Sequence, residues 1–311
     1  QQKARQNGCT VAVFVPVRKL ISFSVSFYLR RKAHGMSQVT PSGPMHWSLY
    51  EWDPLQFMFD QPKPYCLLRL KRDFAKFAAQ PPTGLYISPE EEDITRVHAL
   101  IVGPPGTPYE GGFFQFLLKF PSNYPTMPPR VRMVTTDAGR VNFNPNLYAD
   151  GKVCLNILGT AKEPEWSPAQ DVESVLVSIQ SLLNDEPFEN EPALEPARSS
   201  FAELYNDLVR QETIRVAVCG QVEAALKDSA GCPPVFRELI LKTFVDAYDK
   251  YEDTVKTRLE RIGPTPKYPF RENRKYQYKQ LLPRLRGLLD EARQRVNATS
   301  TRTTAEATST E

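Results

Sequence analysis

Residues 141–158 constrain this chain more than any other stretch: Val-Asn-Phe-Asn-Pro-Asn-Leu-Tyr-Ala-Asp-Gly-Lys-Val-Cys-Leu-Asn-Ile-Leu. They hold one cysteine, Cys154, with Asn146 eight residues upstream and the turn-forming Ala149-Asp150-Gly151 between them. A lone cysteine is by default a small buried hydrophobe rather than a nucleophile, so Cys154 takes its meaning from its neighbours. Only three histidines, His34, His46 and His98, are present, which leaves little material for a metal site or a Cys-His catalytic pair.

The neighbours follow in a fixed order. Upstream lie Gly103-Pro104-Pro105-Gly106-Thr107-Pro108-Tyr109-Glu110-Gly111-Gly112 and Tyr124-Pro125-Thr126-Met127-Pro128-Pro129. Downstream lie Trp166-Ser167-Pro168-Ala169 and Asn190-Glu191-Pro192. With the Asn144-Pro145-Asn146 turn set before Cys154, this series resembles the ubiquitin-conjugating enzymes over about residues 64–197. In that family an Asn-bearing turn, usually His-Pro-Asn, precedes the thioester cysteine by the same spacing. Here Asn144 replaces the usual histidine, while Pro145 and Asn146 are kept.

The chain has 311 residues, enough for about two domains and a substantial core. Its net charge of +3, from 39 basic and 36 acidic residues, argues against a nucleic-acid-coating protein. Five scattered cysteines, Cys9, Cys66, Cys154, Cys219 and Cys232, show no zinc-ligand spacing and suit a reducing compartment, so cytoplasm and nucleus are the expected locations. The apolar run at 11–29 is broken by Pro16, Arg18, Lys19 and serines, which makes it too polar for a membrane span. Residues 1–63 are expected to form a largely irregular N-terminal extension, with Met36 as the expected initiator and a linker at 37–64.

From Leu67 the periodicity is helical, with Leu67, Leu70, Phe74 and Phe77 on one face and Arg69, Arg72 and Lys76 roughly opposite. Pro81-Pro82 ends this helix. Strand-like runs follow at 86–87, 95–102, 113–120 and 130–135, which predicts a four-stranded antiparallel meander. His98 falls mid-strand and reads as a packed side chain. Ser167, Pro168 and Gln170 match a capping box opening a helix through Val172, Leu176, Ile179 and Leu183. Three amphipathic stripes then cover 198–297, running through Ile214 to Ala225, Phe236 to Leu259 and Tyr278 to Ala292, with Pro283 starting or kinking the last. Residues 298–311 are Thr-, Ser- and Glu-rich and are expected to be disordered. The expected fold class is α+β: a conjugating domain at 64–197 with its meander flanked by helices, plus a helical C-terminal extension.

The resemblance implies a chemistry. Cys154 would take the C-terminal glycine of ubiquitin as a thioester and pass it to a lysine or to a ligase cysteine. Thiol–thioester exchange is nearly isoenergetic and asks for no strong base, metal or cofactor, so the scarcity of histidine fits it and counts against a cysteine hydrolase. Asn146 has two readings, a side-chain amide donor to a tetrahedral oxyanion or a turn asparagine bonding its own backbone. Glu191 likewise is either a carboxylate that receives the incoming lysine or a solvated loop acid.

The family further implies that the first helix docks on a ubiquitin-activating enzyme, through Arg69, Arg72 and Lys76, and that Thr126, Pro168 and Ala169 face ubiquitin ligases. Thr126 stands where many members place a large apolar residue. The loop from 159 to 164 is an insertion beside the active site, because Trp166 follows Cys154 by twelve positions where common members have eight. Segments 103–114, 151–158, 166–170, 178–182 and 212–219 resemble one subgroup, extended at both ends. That likeness suggests a dedicated, non-standard activating enzyme and a second ubiquitin-like modifier as cargo; neither follows from the residues themselves. The rival reading from another class is a catalytically silent ubiquitin- or ligase-binding module, against which the presence of Cys154 speaks.

Overall fold

In the computed structural model the described residues are 51–161, 166–190, 199–229, 231–260 and 276–308, the side chains of 199–200 and 300–308 excepted. The run at 11–29, Met36, the first half of the 37–64 linker, Glu191 and half of the inserted loop lie outside them.

Helix α1, Pro64–Ala79, opens on a proline whose missing N–H costs nothing in the first turn, and closes before Pro81 as Gln80 N–H bonds Lys76 O. It buries Cys66, Leu70, Asp73 and Phe77, so its inward face is turned from the expected one. Leu67 is only half-buried, and a carboxylate sits in the core because Arg69 and Tyr124 satisfy it there. The sheet is a meander of β1 Leu85–Pro89, β2 Arg96–Val102, β3 Phe113–Lys119 and β4 Arg130–Met133, all antiparallel and in sequence order. Pairs such as Ala99 with Phe116 and Leu118 with Val131 fix the register.

The alternation of β2 feeds two cores rather than one. Val97, Ala99 and Ile101 join α1 and helix α2, Val172–Ser181, on one face. Leu100 points the other way and meets Phe113 and the C-terminal helices. Every residue of β3 is therefore buried, a pattern that one-sided antiparallel sheets do not show.

The C-terminal cover begins with α3, Ser199–Glu212, which runs into a π-helical segment, Thr213–Gly220, and then α4, Gln221–Leu226. The π segment serves both cores: Val216 and Ala217 join the first, and Ile214, Val218 and Cys219 the second. Helices α5, Pro234–Lys256, and α6, Tyr278–Thr308, pack on each other and complete the second core with Phe236, Ile240, Phe244, Leu281 and Leu285. The C-terminal helices meet the loop before β3 closely at Gly111 and Gly112. A Cβ on Gly111 would lie 2.6 Å from Tyr251 Oη, and one on Gly112 would lie 2.7 Å from Thr213 Cγ2. Tyr251 Oη instead donates to Gly111 O at 2.9 Å.

Four sequence expectations need correction. Helix α2 starts at Asp171, not Ser167: Asp171 and Ser174 form the capping box, while Ser167 and Gln170 close a separate turn before it. Of the two places expected for Pro283, the helix start is excluded: it lies inside α6, which begins at Tyr278. Residues 51–60, in the described part of a linker expected to be largely irregular, hold one short ordered element. Pro54–Phe57 forms a 3₁₀ turn capped by Asp53 and docks on the sheet edge, where Arg130 covers the Phe57 ring at 3.6 Å and Arg132 pairs with Asp53 at 2.6 Å. Helix α6 runs to Thr308, past the point where disorder was expected, because an established helix extends at the cost of fixing one residue per added bond.

Candidate active site

The segment carrying Cys154 is held from below by aromatic packing. Tyr109 and Phe114 meet edge to face at 5.8 Å, Phe114 and Phe143 at 5.1 Å, and Tyr109 Oη donates to Phe143 O at 2.9 Å. Asn144, fully buried, then sets the turn. Its Oδ1 accepts from the N–H groups of Asn146 and Leu147 at 2.9 and 3.0 Å, and its Nδ2 donates to Leu182 O at 2.9 Å. The side chain at the position usually held by histidine is thus a structural clamp from the turn to the end of α2.

The turn at 148–151 folds the chain back, with Tyr148 N–H on Lys152 O and Gly151 N–H on Tyr148 O, and Gly151 adopts a φ of 93° open to glycine. Cys154 returns beside Asn146: its N–H donates to Asn146 O at 2.8 Å, and Asn146 Nδ2 donates to Cys154 O at 3.2 Å. Asn146 therefore ties the turn to the backbone of Cys154 through its side-chain amide, while its buried Oδ1 has no hydrogen-bond partner among the described residues.

Cys154 is half-buried, whereas Cys66, Cys219 and Cys232 are buried. Burial pushes their thiols up to about 11, about 12 and about 11 respectively, which leaves them inert at neutral pH. The Cys154 sulfur faces the inserted loop, its Sγ 3.5 Å from Thr160 O. The histidine of the described residues, His98, lies on β2 with Nε2 3.2 Å from Glu90 Oε1. No group of three or more His, Cys, Asp or Glu side chains that could hold a metal ion occurs among the described residues, nor any helix long and apolar enough to cross a membrane.

The other expected contacts fall into three groups. Arg69 is turned inward: it bonds Asp73, Pro168 O and Gln170 O, and it stacks on the Tyr124 ring at 5.5 Å. Arg72 is exposed, and Lys76, also exposed, bonds Asp171 at 2.8 Å and Glu173 at 3.2 Å. Thr126, Pro168 and Ala169 are all exposed, on two loops that Trp166 joins by donating Nε1 to Pro125 O at 2.8 Å. Glu191 lies outside the described residues, but Asn190 before it is anchored, donating to Leu182 O and accepting from Asn184. Sequence reasoning missed Asp73, Asp171 and Thr160. Thr160 had a local signal, as a hydroxyl in the inserted loop, and Asp171 had one as a cap three residues before Ser174; Asp73 had none.

A family model described as ubiquitin-conjugating enzyme matches residues 69–213. Ubiquitin-conjugating enzyme E2 Z of Homo sapiens is 46% identical over 252 residues, covering 79% of this chain and 70% of that protein. The Danio rerio protein of the same name is 46% identical over 242 residues, 76% of this chain and 73% of its own. That of Xenopus tropicalis is 44% identical over 249 residues, 78% of each. With the meander, the locked Asn-Pro-Asn turn and the half-buried cysteine in place, these matches mean that the chain belongs to the ubiquitin-conjugating enzymes, and is a transferase of that family.

Proposed function

We propose that Cys154 carries ubiquitin, or a ubiquitin-like modifier, as a thioester received from an activating enzyme and delivers it to a substrate lysine or to a ligase. The Cys154 thiolate attacks the thioester carbonyl on the activating enzyme. A new C–S bond forms, the old one breaks, and the departing thiolate takes up the proton that Cys154 gave up. In the second step the lysine amine adds to the Cys154 thioester, loses a proton, and expels the Cys154 thiolate. Asn146, fixed beside Cys154, would serve this step first by holding the backbone that carries the sulfur; the remaining N–H of its amide is the donor for an oxyanion. Glu191, next to the anchored Asn190, would orient the incoming ammonium and accept its proton.

The observation that carries this reading is the contrast among cysteines: Cys154 alone of the four described is not buried, and it sits on a turn locked by Asn144 and Asn146. The exposed Arg72 and Lys76 would meet the activating enzyme, with Arg69 holding the helix beneath them. Thr126, Pro168 and Ala169 would meet ligases. A non-standard activating enzyme and a second ubiquitin-like cargo belong to this proposal, as do cytoplasm and nucleus as its setting. The test is incubation with activating enzyme, ATP and ubiquitin, followed by gels run with and without thiol. A thiol-labile adduct one ubiquitin heavier supports the reading. No adduct with any activating enzyme would favour the silent binding module.

A further inference from the structure

Thr160 occupies an unusual place relative to the reactive cysteine. The 3₁₀ turn Asn156–Leu158 ends at Gly159, whose left-handed φ of 66° sends the chain back toward residues 153–155. Thr160 thereby comes to lie against the residues on both sides of Cys154. Its hydroxyl accepts from Leu155 N–H at 2.9 Å and donates to Val153 O at 2.6 Å, with Leu155 O, 3.2 Å away, as the other acceptor for its one proton. Its own N–H donates to Leu155 O at 3.2 Å, and its carbonyl oxygen stands 3.5 Å from Cys154 Sγ as an acceptor for the thiol.

Resting on the reading of Cys154 as the nucleophile, we propose that Thr160 is a positioning residue: its hydroxyl clamps Val153 and Leu155 and so fixes the backbone that aims the Cys154 sulfur, while its carbonyl holds the thiol in that direction until the proton leaves. The β-branched side chain is stiff about χ1, so clamp and carbonyl move together. The carbonyl contact exists only while the thiol keeps its proton, because neither the attacking thiolate nor a thioester sulfur has a hydrogen to donate; the hydroxyl clamp on the backbone persists through attack. Attack on a large, docked thioester depends on where the sulfur points, and a misplacement of about 1 Å can cost as much as 10²-fold. Attack on a small electrophile that approaches from any side depends on access and on the thiolate fraction, neither of which is lowered by losing the carbonyl contact. The two reactions should therefore respond to the clamp in opposite directions.

The experiment uses the full chain, with Thr160→Val removing the hydroxyl at nearly constant shape and Thr160→Ser restoring it. Two rates are measured: charging against activating-enzyme concentration, and iodoacetamide alkylation resolved by peptide mass. Loss of the clamp should slow the maximal charging rate about tenfold, the effect of one well-placed buried hydrogen bond, with KM unchanged. Alkylation of Cys154 should rise about threefold on the same scale, while Cys66, Cys219 and Cys232 stay protected and report an intact fold. Thr160→Ser should return both rates toward wild type. The proposal is overturned if Thr160→Val charges like wild type, if its loss lies in KM, if Thr160→Ser is as slow as Thr160→Val, or if the buried cysteines become reactive. Failure of the wild-type chain to charge would instead remove the underlying reading of Cys154, so the two failures are told apart.

Discussion

Replacing Arg69 by alanine separates a stabilising role from a docking role on α1. Only 11% of the Arg69 side chain is exposed and 3% of that of Asp73, and their contact is close, with Nε donating to the carboxylate oxygens at 2.7 and 2.9 Å. The other two nitrogens donate to Pro168 O and Gln170 O, each at 2.6 Å. Arg69→Ala leaves two carbonyls without their donor and a buried carboxylate with the Tyr124 hydroxyl, at 2.6 Å, as its remaining support. Breaking a buried pair in this way costs about 3–5 kcal/mol, which in a domain of this size lowers Tm by roughly 10 °C. Arg72, 73% exposed and 3.9 Å from Asp73, should cost about 0.5 kcal/mol or less when replaced. Urea melts of both variants, with charging rates measured across activating-enzyme concentrations, give the comparison. Arg69→Ala should lose stability and, where folded, keep its KM; Arg72→Ala should keep stability and raise KM. An Arg69→Ala protein as stable as wild type but poorly docked would refute the argument and return Arg69 to the surface contacts first expected of it.

Further predictions concern the cover, the acid limb and the lysine step. Phe244, fully buried in the second core and stacked on Tyr251 at 5.9 Å, should cost about 3–5 kcal/mol as Phe244→Ala, and tryptophan-detected unfolding should shift with it although Trp47, Trp52 and Trp166 all precede the extension. An unmoved tryptophan transition would mean that cover and domain unfold separately. Burial raises the Asp171 carboxyl, but the Lys76 ammonium and the Ser174 N–H and hydroxyl outweigh it and hold the group below its usual range. Its folded pKa is thus depressed, so its contribution is complete above the unfolded value of about 4 and is lost as pH falls through the folded one. Asp171→Asn, which keeps an N-cap, should flatten the loss of stability between about pH 5 and pH 2; an identical acid limb in the variant would count against it. Glu191→Ala should slow discharge to free lysine at neutral pH, less at high pH, and leave discharge to free cysteine unchanged; equal slowing of both would remove Glu191 from the lysine step.

Where the sequence is legible, local pattern and final environment agree. The strands of the meander are short apolar runs, alternating in β2, separated by turn residues such as Pro, Gly and Asn, so their number and order follow from the chain alone. Cys154, Asn146 and the exposed loop residues are equally visible, because the motifs that hold them are contiguous. What escapes is long-range. Asp73 and Asp171 look like surface charges until Tyr124 reaches the first across 51 positions and Lys76 the second across 95. The docking of residues 51–60 depends on Arg130 and Arg132, some 79 positions away. The start of α2 was misplaced for a different reason: Ser167-x-x-Gln170 and Asp171-x-x-Ser174 are both good caps, and Asp171 opens the helix, held there by Lys76. The alternation of β2 hid a second core, since a strand facing solvent on one side and a strand facing a helical cover carry similar patterns when the covered side includes His98 and Arg96.

The central claim is that the sulfur of Cys154 carries the modifier, and substitution of that one atom tests it most directly. Cys154→Ser, charged with activating enzyme, ATP and ubiquitin and then digested for peptide mass analysis, should carry the ubiquitin C-terminus on residue 154. Because an alkoxide is a poorer leaving group than a thiolate, that oxyester should survive thiol and yield to hydroxide, where the wild-type adduct yields to thiol. An adduct that forms equally well on Cys154→Ala, or that maps to any other residue, would contradict the account.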